Sequence, residues 1–200
     1  MKKLISSQLI SSLSLLILLS SCGQEVGGGE GTDGVSVADH RIFVTSVSYT
    51  GAEVGGLASA DSKCASLAAT AGLERNYKSI ISDTSGNAKN RLVFTGGVYA
   101  VPSSGESELI VATGSDLWGT DTKNLLTSVN IDENGSSVSS YVWTGTDSDG
   151  AVLFGEHCSD WTSTVSSGRR GHTDQSDDRW VEDTDISCTN PYPIYCISQK

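Results

Sequence analysis

The sequence predicts an α+β domain, and three observations carry that expectation. One amphipathic helical stretch lies near the front, a succession of short apolar or β-branched runs follows it, and clusters of Gly, Ser, Asn and Asp separate those runs. The opening run Arg41-Ile42-Phe43-Val44-Thr45-Ser46-Val47 reads as a strand, and Gly51 to Gly56 breaks it. From Ala58 to Ala71 the small and apolar residues Ala60, Cys64, Leu67, Ala68 and Ala71 recur at three- and four-residue steps. Ser59 or Asp61 is placed to cap this helix and Gly72 to end it.

Tyr77 to Ser82 offers a second strand, and Asn87 to Phe94 reads either as a short helix or as an extended connection. Beyond Gly96, strand-like runs occur at Val98 to Val101, Leu109 to Thr113, Leu125 to Ile131, Tyr141 to Thr144, Ala151 to Phe154 and Ile194 to Ile197. Glu133-Asn134-Gly135 and Asp147-Ser148-Asp149-Gly150 read as hairpin turns between them. Ser159 to Asp185 is polar and long for a connection, and reads as a functional or mobile loop. No internal repeat is found at any period.

The first segment has a different character. Lys2 and Lys3 precede an apolar run from Leu9 to Leu19, and Ser20-Ser21-Cys22 follows. A charged start, a short apolar stretch and small residues before a cut are the layout of a secretory signal. The run is shorter than the roughly 20 apolar residues of a membrane-spanning helix. Leu19-Ser20-Ser21-Cys22 resembles the lipobox of bacterial lipoproteins, in which the cysteine is acylated and becomes the new N-terminus. Residues 1–21 are therefore expected to be a signal peptide. Residues 22–38 would be the lipidated Cys22 with a Gly-rich, acidic tether, and residues 39–200 one globular domain. Gly23, rather than Asp, follows the cysteine, which by resemblance to lipoprotein sorting implies the cell outer membrane, facing either the periplasm or the cell surface.

The net charge is −11, and the loss of the positive charges of Lys2 and Lys3 with the signal would take it to −13. Such a surface repels phosphate backbones, so nucleic acid is not expected as a partner. Of the five cysteines, assigning Cys22 to the lipid leaves Cys64, Cys158, Cys188 and Cys196. In an exported chain this set reads as two disulfides, with three connectivities open. No CxxC pair occurs, and His40, His157 and His172 lack ligand spacing for zinc.

Several residues in order resemble the endostatin domain of collagens: Phe43-Val44, Gly55-Gly56-Leu57, Ala60-Asp61 and Cys64 at the front. At the back stand Val142-Trp143-Thr144-Gly145, Asp147, Gly150, Cys158, Trp161-Thr162, Ser187-Cys188 and Ile194-Tyr195-Cys196-Ile197. The same order is similar to a family of bacterial lipoproteins with endostatin-like, C-type lectin-like domains. The resemblance runs over most of Arg41 to Gln199 and rests on the two ends. It implies a C-type lectin-like (endostatin-like) α+β fold, with an N-terminal helix on short antiparallel strands, a long polar loop and two nested disulfides, Cys64 with Cys196 and Cys158 with Cys188. It makes Trp143 and Trp161 core residues beside the bridges, with a ligand platform as the alternative for Trp161.

Endostatin-type zinc and heparin binding do not transfer. The comparable strand position is the apolar Ile42, His40 stands alone, and Arg169-Arg170 is the only local basic spot. Lectin calcium motifs are missing too: there is no Glu-Pro-Asn or Gln-Pro-Asp tripeptide, and Trp180-Val181-Glu182-Asp183 lies at the wrong distance from Cys188.

The polar loop supplies the candidate binding residues Arg169, Arg170, Asp174, Asp177, Asp178 and Trp180. Within it Asp178, Glu182, Asp183 and Asp185 are weak calcium candidates against a solvated acidic loop. No nucleophile elbow, phosphate loop or dinucleotide fingerprint is present, so neither an enzyme nor a cofactor is expected. The expected function is a non-catalytic ligand-binding or adhesion module, tethered to the membrane by its lipid and meeting an envelope, matrix or host ligand, protein or glycan. The alternative is an envelope hydrolase acting on glycans through a carboxylate pair.

Overall fold

The computed structural model describes residues 38–103, 105–119 and 125–200. The signal segment, Cys22 and nearly all of the tether lie outside them. The domain is mixed α/β, with few helices, short strands in two sheets and two disulfides. Strand β1 (His40–Val44) is buried along its whole length and leads to a short helix α1 (Gly51–Val54) and the main helix α2 (Leu57–Thr70). β2 (Asn76–Ser79), α3 (Ala88–Arg91), β3 (Val98–Ala100) and β4 (Leu109–Val111) follow. β5 (Tyr141–Trp143), β6 (Ser167–His172), β7 (Thr184–Ser187) and β8 (Tyr195–Gln199) complete the chain.

The larger sheet has the order β2-β8-β1-β3-β4 and the smaller one β5-β6-β7. Not all pairings are antiparallel, as had been expected: β1 runs parallel to β3, with His40 opposite Val98 and Ile42 opposite Ala100. The long connection between them, which carries α2, supplies the crossover that parallel strands require. Successive residues of β1 alternate faces, as a pleated strand dictates. Ile42 and Val44 enter one core with Val142, Trp180 and Ile197. Phe43 enters the other with α2, Trp143, Trp161 and all four bridged cysteines.

Helix α2 buries Ala60, Cys64 and Ala68, a stripe of small residues that lets the helix lie close to the sheet. Gly56, not Ser59 or Asp61, stands at its N-cap. Asp61 instead accepts hydrogen bonds from the N–H and hydroxyl of Ser79, the last residue of β2, and from Arg91 Nη2 on both carboxylate oxygens at 2.8 Å. One carboxylate thus ties α2, β2 and α3 together. Gly72, at φ 74°, ends the helix as foreseen, with Leu73 N–H donating to Ala68 and Gly72 N–H to Ala69. Asn87 to Phe94 resolves into α3 followed by extended chain. α1 was not foreseen, although Thr50 and Glu53 form a reciprocal capping box.

The runs Leu125 to Ile131 and Ala151 to Phe154 form no strands; isolated bridges, Ile131 with Ser137 and Thr146 with Val152, take their place. Ser159 to Asp185 is no open loop: it contains β6, a 3-10 turn at Asp178–Trp180 and the start of β7.

The disulfides join Cys64 to Cys196 and Cys158 to Cys188, separated by 132 and 30 residues. Around the inner bridge the chain is crowded: a Cβ on Gly51 would stand 2.5 Å from Cys158 Sγ. Cys158, Ser159, Asp160 and Trp161 all have φ between 51° and 60°. Consecutive left-handed L-residues cost roughly 1–2 kcal/mol each. The turn persists because its neighbours hold it. The Trp161 indole donates to Ser82 O, Gly55 N–H donates to Trp161 O, and His157 Nδ1 accepts from Asp160 N–H.

Loss of the outer bridge frees the longer loop in the unfolded chain, so chain entropy makes Cys64→Ala costlier than Cys158→Ala by about 1 kcal/mol. Urea unfolding of the two variants checks the order. A non-reduced peptide linking Cys188 to Cys196 would overturn the pairing.

Candidate functional site

The residues expected to line a binding loop are distributed over a structured ribbon. Arg169 and Arg170 lie on β6, the middle strand of the small sheet. Arg169 Nη1 faces Glu182 Oε1 at 3.4 Å and its Nε faces Asp185 Oδ1 at 2.7 Å. Arg170 Nε lies 3.7 Å from Asp183, Nη1 donates to the Tyr192 hydroxyl at 3.0 Å, and the guanidinium sits 3.4 Å from the Tyr141 ring centre. Trp180 is 2% exposed and belongs to the core, with its ring centre 5.4 Å from Tyr195 and 6.1 Å from Trp118. It is a packing residue, and the expectation of a loop-borne binding tryptophan is corrected.

Asp174, Asp177 and Asp178 remain at the connection between β6 and β7. Asp174 accepts from the Ser139 hydroxyl, Asp177 caps the 3-10 turn and pairs with Arg179 at 2.7 Å, and Asp178 is exposed. The Arg179 hydrogen bonds hold the Asp177 carboxyl below its ordinary value.

Of the calcium candidates, Glu182, Asp183 and Asp185 each face an arginine, while Asp178 is exposed and its backbone carbonyl accepts from Glu182 N–H at 2.9 Å. No group of three or more His, Cys, Asp or Glu side chains among the described residues is arranged as metal ligands. His40 also has its ring nitrogens occupied: Nδ1 contacts Ser198 O at 2.7 Å and Nε2 accepts from Thr95 N–H. Burial lowers its pKa.

Asp147 to Gly150 is the hairpin turn that was expected, with Asp147 N–H donating to Ala151 O and Gly150 N–H to Asp147 O. Its partner was not expected. Glu182 Oε2 and Asp147 Oδ1 both accept from Ser148 N–H, at 2.8 and 2.7 Å. Burial first, then the neighbouring Asp147 carboxylate, pushes the Glu182 carboxyl above its ordinary value.

A second feature went unread in the sequence. Between Thr84–Arg91 and Ala151–Phe154 lies an open cleft of about 510 Å³. Its walls are fixed by short polar ties. Asp83 accepts from Ser85 N–H and hydroxyl, Asp160 accepts from Thr84 N–H and hydroxyl, and Asn87 Oδ1 accepts from Val152 N–H. Lys89 bonds Asp149 at 2.8 Å across the back. Phe154 stands 80% exposed at the rim. Its position beside Gly155 is the available signal, in a run, Ala151 to Phe154, that reads in sequence as strand-like.

No known protein-family model matches the chain, and no curated protein is similar to it.

Truncating the buried Trp180 to Ala should cost about 3–5 kcal/mol of global stability, read by denaturant midpoint. A loop-borne residue would leave the midpoint unchanged. The melting temperature should agree with and without calcium, since the ribbon carboxylates already face arginines; a large rise on adding calcium would show binding to the folded state. Glu182 has a raised folded pKa, so its stabilising contribution is present below the ordinary Glu value and is lost as pH rises through the folded value. Glu182→Gln should therefore gain stability relative to wild type as pH rises from about 4 to 7, in urea melts at stepped pH.

Proposed function

We propose that the protein is a lipid-anchored, non-catalytic binding or adhesion module of the cell envelope. Cys22 is its tether to the outer membrane, and its domain is an endostatin-like, C-type lectin-like scaffold. The observation that carries this reading is the fixed cleft between Thr84–Arg91 and Ala151–Phe154, with an aromatic ring exposed at its rim. A single large ring left in water beside Val152, in a concave site whose other wall is polar, is the mixed lining of a ligand site. The nested disulfides support the scaffold assignment, because they join the same cysteines that the resemblance to endostatin-like domains pairs. The overall acidity supports a neutral or basic ligand over nucleic acid.

The alternative, a glycan hydrolase of the envelope, has one observation in its favour, the meeting of Asp147 and Glu182. Both carboxylates accept from the one Ser148 N–H, at 2.7 and 2.8 Å, and are spent on holding the turn. That use favours a structural role over a glycosidase pair, whose carboxylates flank a substrate bond.

Two measurements test the reading. Cys22→Ala should move the protein from the detergent fraction to the soluble fraction of cells, and retention with the membranes would remove the anchor. Incubation of the mature domain with envelope glycans should leave them uncleaved while some are retained, and release of reducing ends would favour the hydrolase.

A further inference from the structure

The polar cleft can be assigned a ligand chemistry. We infer that it binds a neutral, hydroxyl-rich ring, a sugar unit of a glycan, with Phe154 under the ring's C–H face and Thr84, Ser85 and Asn90 at its hydroxyl edge. This rests on the reading of the protein as a binding module and adds the site and the ligand class.

The charges decide first. Arg91 is the one charged residue among the described lining residues, and it is occupied. Its Nη2 bonds both oxygens of Asp61 and its Nη1 donates to Ile81 O at 2.8 Å. An anionic ligand would find no cation to answer it, in a protein that is acidic overall. Asp83 and Asp160, just behind the walls, are each engaged by a hydroxyl and an amide donor, which leaves them poorly disposed to take a cation. A neutral ligand fits this cleft.

The hydrogen-bond directions decide next. The Thr84 and Ser85 hydroxyls donate inward, to Asp160 at 2.8 Å and to Asp83 at 2.6 Å. Each oxygen keeps acceptor capacity, and each hydroxyl's own proton is already committed, so the pair presents prearranged acceptors to hydroxyl donors. Asn90, exposed on α3, offers both an amide donor and an acceptor. Opposite them, Val152 and Phe154 make an apolar wall. One wall of acceptors and one of hydrocarbon match a pyranose, which has hydroxyls on its edge and C–H groups on its faces. The volume, about 510 Å³, lies within the roughly 300–1,000 Å³ of small-molecule sites.

The backbone gives an independent reason to regard this place as built. Asp160, which orients Thr84, sits at φ 55° in the left-handed turn Cys158–Trp161. Strained backbone persists where surrounding structure enforces it, and it concentrates at binding and catalytic sites. Here the inner disulfide and the Trp161 indole enforce it, and its product is the placement of a carboxylate against the cleft wall. Asp160 is thus a positioning residue and not a ligand contact.

The experiment uses the full chain, ¹⁵N-labelled and held in detergent, titrated with cellobiose, with N,N′-diacetylchitobiose and with glucuronic acid. The neutral disaccharides should shift the amide resonances of Ser85, Asn90 and Phe154, in the presence of chelator as in its absence, and glucuronic acid should not. Phe154→Ala and Asn90→Ala should each weaken binding by roughly tenfold, the scale of one aromatic or hydrogen-bonding contact. Val165→Ala, at a side chain 95% exposed and outside the cleft, should bind as wild type. Because Phe154 and Asn90 are exposed, their removal should leave the fold intact, which the unshifted remainder of the spectrum reports. The proposal is overturned if neither disaccharide shifts these amides at tens of millimolar, if Phe154→Ala binds as wild type, or if glucuronic acid binds equally well. Shifts confined to Asp174–Arg179 would overturn the cleft and leave the binding-module reading standing. Cleavage of a disaccharide during the titration would overturn that reading itself.

Discussion

Cys196 is the point on which the two layers of the domain depend. It lies on β8, opposite Phe43 of β1 and Ser79 of β2, and its sulfur crosses to Cys64 on the buried face of α2. The front of the chain is thereby fixed to its last strand twice, by the strand ladder and by the bridge. Because β8 is inserted between β1 and β2, neither of the first two strands completes the sheet until the end of the chain arrives. The small residues Ala60 and Ala68, one turn on either side of Cys64, allow the close approach that the bridge needs. Larger side chains there would hold the helix off the sheet and draw the two sulfurs apart.

The inner bridge does a different job. Cys158 and Cys188 close a short segment, and the gain in chain entropy is smaller than for the outer one. Its effect is local: it holds four residues in a left-handed turn beside Gly51, whose missing side chain makes room for the sulfur. From that turn Trp161 reaches inward to Ser82 O, and Asp160 reaches outward to Thr84. The same bridge therefore orders both a piece of the core and the rim of the cleft.

What the sequence made legible follows the strength of the local signal. α2 was readable because its small residues repeat at helical steps and Gly72 supplies a left-handed stop. β1, β3, β4, β5 and β8 were readable as apolar or β-branched runs. β6 was not, because Ser167-Gly168-Arg169-Arg170-Gly171-His172 contains no such residue. Its place is decided by neighbours: Gly168 lets Trp143 and the inner bridge approach, and Gly171 lies against the Trp180 backbone. Ala151 to Phe154 failed in the opposite sense, since an apolar run there turns outward. α1 carried a capping box in plain view at Thr50 and Glu53, passed over because the glycines around it read as a break. The cleft was illegible for a further reason. Its walls come from segments more than fifty residues apart, joined by Asn87 to Val152 and by Lys89 to Asp149, pairs that local patterning does not connect.

The distribution of charge ties these observations together. A chain this acidic could have left its carboxylates to repel one another, yet in the ribbon of β6 and β7 they are placed around two arginines. Arg169 answers Glu182 and Asp185, and Arg170 lies between Asp183 and the rings of Tyr141 and Tyr192. Ion pairs at this exposure contribute little stability individually, so their main effect is on register and orientation. A ribbon with so few apolar side chains has a weakly specified register, and the cross-strand pairing of Arg169 with Asp185 pins it. The cleft lies apart from this electrostatic work, with its one arginine held by Asp61. The carboxylates of the ribbon are thus spent on its own arginines, and the arginine at the cleft on Asp61, so in both places charge is used to hold the chain in position.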